Sequence, residues 1–310
     1  MSAIEMHEIS EDPDILKKYN DFDVYFKNDG HYGLYKKKGT TFDPSRIEFN
    51  KLPERMYISL NDRINLVRHQ TFQLNKKLAN DLKKDPVKAK KRLSEVVAVT
   101  LSEPRNEVLE VMKDTIGIVV DEYLNSADVI KNLVQVSVKD HTTQLHLTNV
   151  MLFCLGYAHF AGYDEDDLRL FGLIGLLHDV GKVDIPDEIL TAPRKLTDEE
   201  FDRIKQHPRN SWEILRKCDF DKRIAICAYE HHERLDGSGY PKGKKGSDLG
   251  LHSRALSIAD VYEALTTWRP YKEPMNPLMA LGIMKEEVES GKLDSDTFQA
   301  FAKSIVRLTS

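Results

Sequence analysis

The sequence predicts a mainly α-helical chain. An all-helical, metal-binding C-terminal domain is expected over residues 139–310, with a helical connector at 61–138 and a small α/β module at 1–60. Three observations lead there. From Asn61 onward apolar residues recur at spacings of three and four, the mark of helices with one buried face. Strand-like runs are confined to the first sixty residues. Histidine is unevenly placed, with eight of the eleven between His141 and Asp260. The length of 310 residues fits about two domains, and 41% hydrophobic with 31% charged residues is ordinary for a chain with a large core.

Composition also excludes several functions. With 45 basic and 50 acidic residues the net charge is −5, so phosphate-dominated DNA binding is not expected. Cys154, Cys218 and Cys227 show no CxxC spacing, which argues against a disulfide framework or a zinc ribbon. The start, MSAIEMHEISEDPD, lacks the basic and apolar regions of a secretory signal. The longest mostly apolar stretch, Val150 to Tyr163, is shorter than the ~20 residues a membrane span needs. A cytoplasmic protein without a membrane span is expected.

In the first module, FDVYFKN and HYGLYKKKG flank Asn28-Asp29-Gly30, a hairpin signal. Asp43 and Pro44 suit a helix cap and first position, and MYISL (56–60) reads as a strand. In the connector, Pro86 and Pro104 mark helix boundaries. The basic run KKDPVKAKKR (83–92) reads as a solvated face.

The chemistry is concentrated further on. In LLHDVGK (176–182), His178 and Asp179 fall at the inner end of the buried helix DDLRLFGLIGLL, and Gly181 offers a C-terminal stop. A single histidine there would be a core residue. An adjacent buried carboxylate, costly unless paired or metal-bound, shifts the reading towards a metal. His231-His232 ends KRIAICAYEHHE, and two consecutive histidines can serve one ion only near a helix end. Asp260 sits on the buried side of RALSIADVYEALTTW, and His146 lies in line with Val150 and Phe153. His207 precedes Pro208 at a break between helices, the first of which opens with Thr197 and Glu200 in capping-box spacing. Five imidazoles and two carboxylates suit first-row divalent metals and exceed one tetrahedral site. Two ions sharing Asp179 would use the excess, giving a bridging hydroxide and a clamp for phosphoryl oxygens. The implied reaction is phosphoester hydrolysis.

HDVGK (178–182), HHERLDGSGYP (231–241) and IADVYEALTTWRPYK (258–272), joined by DIPDEIL and KLTDEEFDRIKQHP, resemble the HD-GYP family of HD-domain metal phosphohydrolases. The resemblance covers about 139–310. It implies hydrolysis of cyclic di-GMP to pGpG or GMP at a binuclear centre. Two divalent ions are implied, iron foremost, with manganese or another first-row metal as substitutes. The metal ligands would be His146, His178, Asp179, His207, His231, His232 and Asp260. Asp179 and Lys182 would be catalytic, with Lys182 beside the scissile phosphate. Arg269, Lys272 and the loop residues Gly239, Tyr240 and Pro241 would contact substrate, and the loop would also meet diguanylate cyclase (GGDEF-type) domains. The chain departs from the family at Thr142, Leu147, Leu235, Glu263 and Trp268, and PRK (193–195) lacks the usual glycine. It therefore reads as an atypical member. A catalytically weak or inactive module that binds cyclic di-GMP or a signalling partner is the alternative.

Overall fold

The structure, a computed structural model, describes residues 5–9, 16–42, 52–136, 142–192, 194–268 and 273–309. The helix expected at Asp43-Pro44 lies outside them. The chain divides into two compact units, residues 1–69 and 70–310. As the sequence predicts, helix dominates and the sheet is confined to the N-terminus. Among the described residues no helix is long and apolar enough to cross a membrane.

The first unit holds an antiparallel sheet of four strands: β1 (Met6–Ile9), β2 (Val24–Asn28), β3 (His31–Lys36) and β4 (Met56–Ser59), in the order β1-β4-β2-β3. β2 and β3 form the expected hairpin. Its two turn residues, Asp29 at φ 45° and Gly30 at φ 81°, lie in the left-handed region, matching the natural twist of paired strands. Strand β1 was not foreseen, because the four residues MHEI are too short to show a period. It is ordered by pairing with β4, Met6 opposite Ser59. Ile9, Val24, Met56 and Ile58 fill the core beneath.

Helix α1 (Leu60–Lys84) is followed by α2 (Pro86–Leu101), which starts where the Asp85 carboxylate accepts from the Lys88 amide and Pro86 takes the first helical position. Then come α3 (Val111–Asn125), α4 (Asp128–Gln135), α5 (Thr143–Phe160) and α6 (Glu165–Leu177). The segment read as a connector shares the main core. Leu93, Val97, Ile116 and Ile130 pack in the same cluster as Val150, Phe171, Leu256 and Phe301. Helix α5 is buried continuously from Leu145 to Ala158 and is the pillar of the unit. Three further pairs complete it: α7 (Asp198–Ile204) and α8 (His207–Leu215), α9 (Lys222–Glu230) and α10 (Leu251–Thr266), and finally α11 (Pro277–Glu289) with α12 (Ser295–Thr309).

Two glycines fix how closely these elements approach. A Cβ on Gly175 of α6 would stand 2.7 Å from Met151 Cα of α5, so only glycine lets the two helices touch there. Gly181 was expected to stop α6, but the helix ends at Leu177 and a 3-10 turn, Val180–Asp184, follows. The glycine is needed for a different reason. A Cβ on it would lie 2.3 Å from the Ser211 amide nitrogen and 2.5 Å from the His207 carbonyl, so it allows the turn to press against α8. Its own amide donates to Ser211 Oγ at 2.8 Å.

Close packing at Gly175 makes a quantitative test. Gly175→Ala should cost about 1–3 kcal/mol by overpacking. Gly282→Ala in α11, where an added Cβ meets nothing within 4 Å, should be neutral or slightly stabilising. Urea denaturation of both variants decides this, and equal effects would contradict the packing account.

Candidate metal centre

The seven residues singled out in the sequence come from five helices and converge. His146 projects from the first turn of α5, and Thr142 caps that turn by accepting from the Leu145 amide at 3.2 Å. His178 and Asp179 follow the end of α6, His207 opens α8, His231 caps the end of α9 with His232 next to it, and Asp260 lies on α10. Helix ends dominate because they let a side chain point along an axis into a shared space rather than sideways into a neighbour. The capping box of Thr197 and Glu200 forms on α7, the helix leading to His207.

Hydrogen bonding assigns the tautomers. His178 Nδ1 lies 2.9 Å from the Gly175 carbonyl, His207 Nδ1 2.6 Å from that of Ile204, and His231 Nδ1 2.8 Å from that of Ala228. A carbonyl can only accept, so each Nδ1 carries the proton and each Nε2 presents a lone pair. His146 repeats the pattern with a carboxylate, Nδ1 standing 2.7 Å from Glu263 Oε2. The four Nε2 atoms face inwards. That of His146 is 3.3 Å from that of His178, and that of His207 is 3.2 Å from that of His231.

Asp179 stands between the two pairs, almost wholly buried. Its Oδ2 is 3.3 Å from Nε2 of both His146 and His178, while Oδ1 is 3.0 Å from His207 Nε2 and 3.5 Å from His231 Nε2. Despite this proximity Oδ1 has no aligned donor and accepts no hydrogen bond among the described residues. Lys182 Nζ donates to Oδ2 at 2.5 Å. Asp260 Oδ1 lies 3.4 Å from His146 Nε2, and its Oδ2 lies 3.9 Å from His232 Nδ1. Three groups of donor atoms, each within 4.8 Å, have ligand geometry: His146–His178–Asp260, His178–Asp179–His231 and His207–His231–His232.

The electrostatics follow from burial set against these contacts. Burial alone would raise the Asp179 carboxyl, but the Lys182 ammonium and the imidazoles of His178 and His207 hold it well below the usual range. Burial opposes a charge on His146, yet Glu263, Asp179 and Asp260 outweigh it and push its pKa up to about 9. Burial lowers His231 to about 4, and it drives His232 well below the ordinary histidine value. Glu263, in contact with His146 and Asn149, is held down to about 2 although burial opposes this. A proton on His146 thus relieves one half of the cluster at neutral pH, while His231 and His232 are held neutral by burial.

Several residues that build the site were not legible as such. Glu263, noted only as a departure, orients His146 and is itself gripped by Asn149 Nδ2 at 3.1 Å. The signal was there, since Asn149 and Glu263 each follow a ligand by three residues on a helix and so share its face. Buried Glu233 accepts from the amides of Lys242 at 2.6 Å and Lys244 at 3.0 Å, and Glu230 pairs with Lys244 Nζ at 2.6 Å. Together they fasten the GSGYP loop. Gly239 is required where that loop crosses residues 232–234, since a Cβ would lie 2.4 Å from the His232 carbonyl. Tyr240 is thereby set with its ring 4.8 Å from that of His232.

The cluster opens into a cleft of 290 Å³ lined by Thr142, Lys182, Arg194, His207, Tyr240 and Asp260, among others. Arg269 and Lys272 lie outside the described residues.

Residues 137–297, more than half of the chain, match the HD domain family model, and the chain belongs to that family. Its HDVGK and HHERLDGSGYP motifs resemble those of the HD-GYP branch. It is 36% identical over 183 residues to a cyclic di-GMP phosphodiesterase of Pseudomonas aeruginosa, which covers 59% of this chain and 44% of that protein. It is 37% identical over 185 residues to 3′3′-cGAMP-specific phosphodiesterase 1 of Vibrio cholerae, covering 60% and 42%. A cyclic di-GMP phosphodiesterase of Thermotoga maritima is 42% identical over 168 residues, 53% and 45%. The matched stretch is less than half the length of each relative. A solved HDG"Y"P protein from Bdellovibrio bacteriovorus matches 98% of this chain and 100% of its own, with TM-score 0.63 and 21% identity, and shows the fold.

A pH dependence follows for the metal-free protein. Unfolded, His231 takes up a proton near pH 6.5, whereas folded it does so only near 4. Between those values the unfolded chain binds the extra proton, so stability falls as pH is lowered through this window, by about 3 kcal/mol from His231 alone. His146 is shifted the other way, so its contribution is complete below 6.5 and is lost only as pH rises through about 9. Chemical denaturation of chelator-treated protein should show the acid loss. A flat or rising stability from pH 6.5 to 4 would contradict the assignment.

Proposed function

We propose that the chain is a metal-dependent phosphodiesterase of cyclic dinucleotides, with cyclic di-GMP as substrate and pGpG or GMP as product. The observation that carries this is the buried Asp179 carboxylate facing one pair of imidazole lone pairs with each oxygen, one oxygen lacking any hydrogen bond. With each Nδ1 committed, Nε2 atoms 3.2–3.3 Å apart need positive charge between them, and a divalent cation is the species that supplies it to both pairs. The donor set fits such ions, and its division into two halves sharing Asp179 supports a binuclear centre, with iron foremost and manganese as a substitute. The names of the relatives, two for cyclic di-GMP and one for 3′3′-cGAMP, support the substrate class.

His146, His178 and Asp260 would hold one ion, His207, His231 and His232 the other, with Asp179 between them. Ions held there would supply Lewis acidity towards phosphoryl oxygens and an activated water. The chain does the rest. Lys182, with its ammonium on Asp179 and its stem on the cleft wall, lies where negative charge builds on the phosphate and stabilises it. The Tyr240 hydroxyl stays a neutral donor, because burial, with Asp179 and Asp260 nearby, pushes its pKa up. Arg194 stands at the rim, its guanidinium fixed by both oxygens of Glu200 at 2.7 Å. Arg269 and Lys272 would hold the far phosphate or a base. The GYP loop, pinned by Glu230 and Glu233, is firm enough to serve also as a docking surface for a diguanylate cyclase domain.

Protein reconstituted anaerobically with iron or manganese should convert cyclic di-GMP to pGpG. Asp179→Asn should abolish turnover and metal uptake together. Lys182→Met should keep its metal while kcat falls by roughly 10²–10³. Metal-loaded protein that binds cyclic di-GMP in calorimetry yet yields no product would replace the enzyme with a binding module.

A further inference from the structure

A second cavity, of 230 Å³, lies against the far supports of the metal centre. Asn149 and Thr267, both bonded to Glu263, line it together with Phe153, Tyr262, Pro274 and Lys90. The wall is mostly apolar, and Phe153 meets Tyr262 edge to face with centroids 5.0 Å apart. Among the described lining residues Lys90 is the one basic side chain, and exposed Glu273 the one acidic side chain.

Lys90 is an unusual occupant of such a wall. It projects from α2, is 4% exposed, and among the described residues donates one hydrogen bond, to the Val136 carbonyl at 2.7 Å just past the end of α4. An ammonium carries three N–H groups, so two have no partner among the described residues. Burying a cation with unmet donors costs several kcal/mol. Burial lowers its pKa to about 8, which still leaves it charged at neutral pH. A helix C-terminus attracts a cation but satisfies only one of its donors.

We propose that this cavity is a binding site for a small carboxylate with an aromatic or branched apolar body, its oxygens meeting the open donors of Lys90 and its body resting on Phe153, Tyr262 and Pro274. A volume below the ~300 Å³ of the smallest drug-sized pockets excludes a dinucleotide and suits a single ring. Inorganic phosphate would leave the apolar wall unfilled. The site is separate from the cleft at Asp179 and does not depend on the catalytic reading. An occupant would touch the two side chains that grip Glu263, and hence the support of His146.

Calorimetry and thermal shift on the full chain test this with benzoate and its neutral counterpart benzamide. Benzoate should bind and raise Tm, with benzamide at least tenfold weaker. Lys90→Met should weaken benzoate at least tenfold and erase the preference over benzamide. Thr266→Phe, which fills the cavity and leaves Lys90 intact, should abolish binding of both, and it decides the matter if Lys90→Met does not fold. No binding of benzoate to the wild type, or equal binding by Lys90→Met or Thr266→Phe, would overturn the proposal.

Discussion

The second unit is organised around a repulsion. Histidine Nδ1 protons are committed to the carbonyls of Gly175, Ile204 and Ala228, and that of His146 to Glu263. The remaining lone pairs have nowhere to point except at one another and at a buried carboxylate. Left alone this would push the helices apart, since buried polar groups without partners are costly. Holding it together requires close packing outside the cluster and positive charge within it. The packing comes from the continuous core around α5. The charge comes in part from Lys182 and a proton on His146, and the proposed ions would supply the remainder.

That requirement explains where glycine is used. Gly175 brings α6 onto α5, so that His178 reaches His146. Gly181 presses the turn after Asp179 against α8, so that His207 reaches the other carboxylate oxygen. Gly239 folds the loop over residues 232–234 and sets Tyr240 beside His232. Each approach leaves no room for a Cβ. Close approaches of this kind fix the ligand-bearing segments against one another, which is what a preorganised site needs.

Much of this was legible from residue spacing. Apolar periodicity gave the helices, and the residues that seemed wrong for a core, His146, Asp179 and Asp260, were those later found together. Buried ligands betray themselves in this way because a core position has few good reasons to hold a carboxylate. Supporting residues were harder to see. Glu263 and Asn149 are visible only through their i+3 spacing from a ligand, and nothing local in the chain distinguishes the gripping acid Glu233 from a solvated one. Gly181 was misread for a similar reason, since a glycine after a helix usually marks a left-handed cap, and here a tertiary approach claimed it. The short strand β1 exists only because β4 pairs with it. The drift at Thr142 proved compatible with local order, the hydroxyl capping α5.

The central claim is that the inward-facing nitrogens and Asp179 form a cation site. Anomalous diffraction from crystals grown with manganese tests it most directly. The account predicts peaks beside Asp179, one towards the His146–His178 side and one towards the His207–His231–His232 side, both absent in Asp179→Asn. Wild-type crystals with no peak in the cluster, or with manganese bound only elsewhere on the surface, would contradict it.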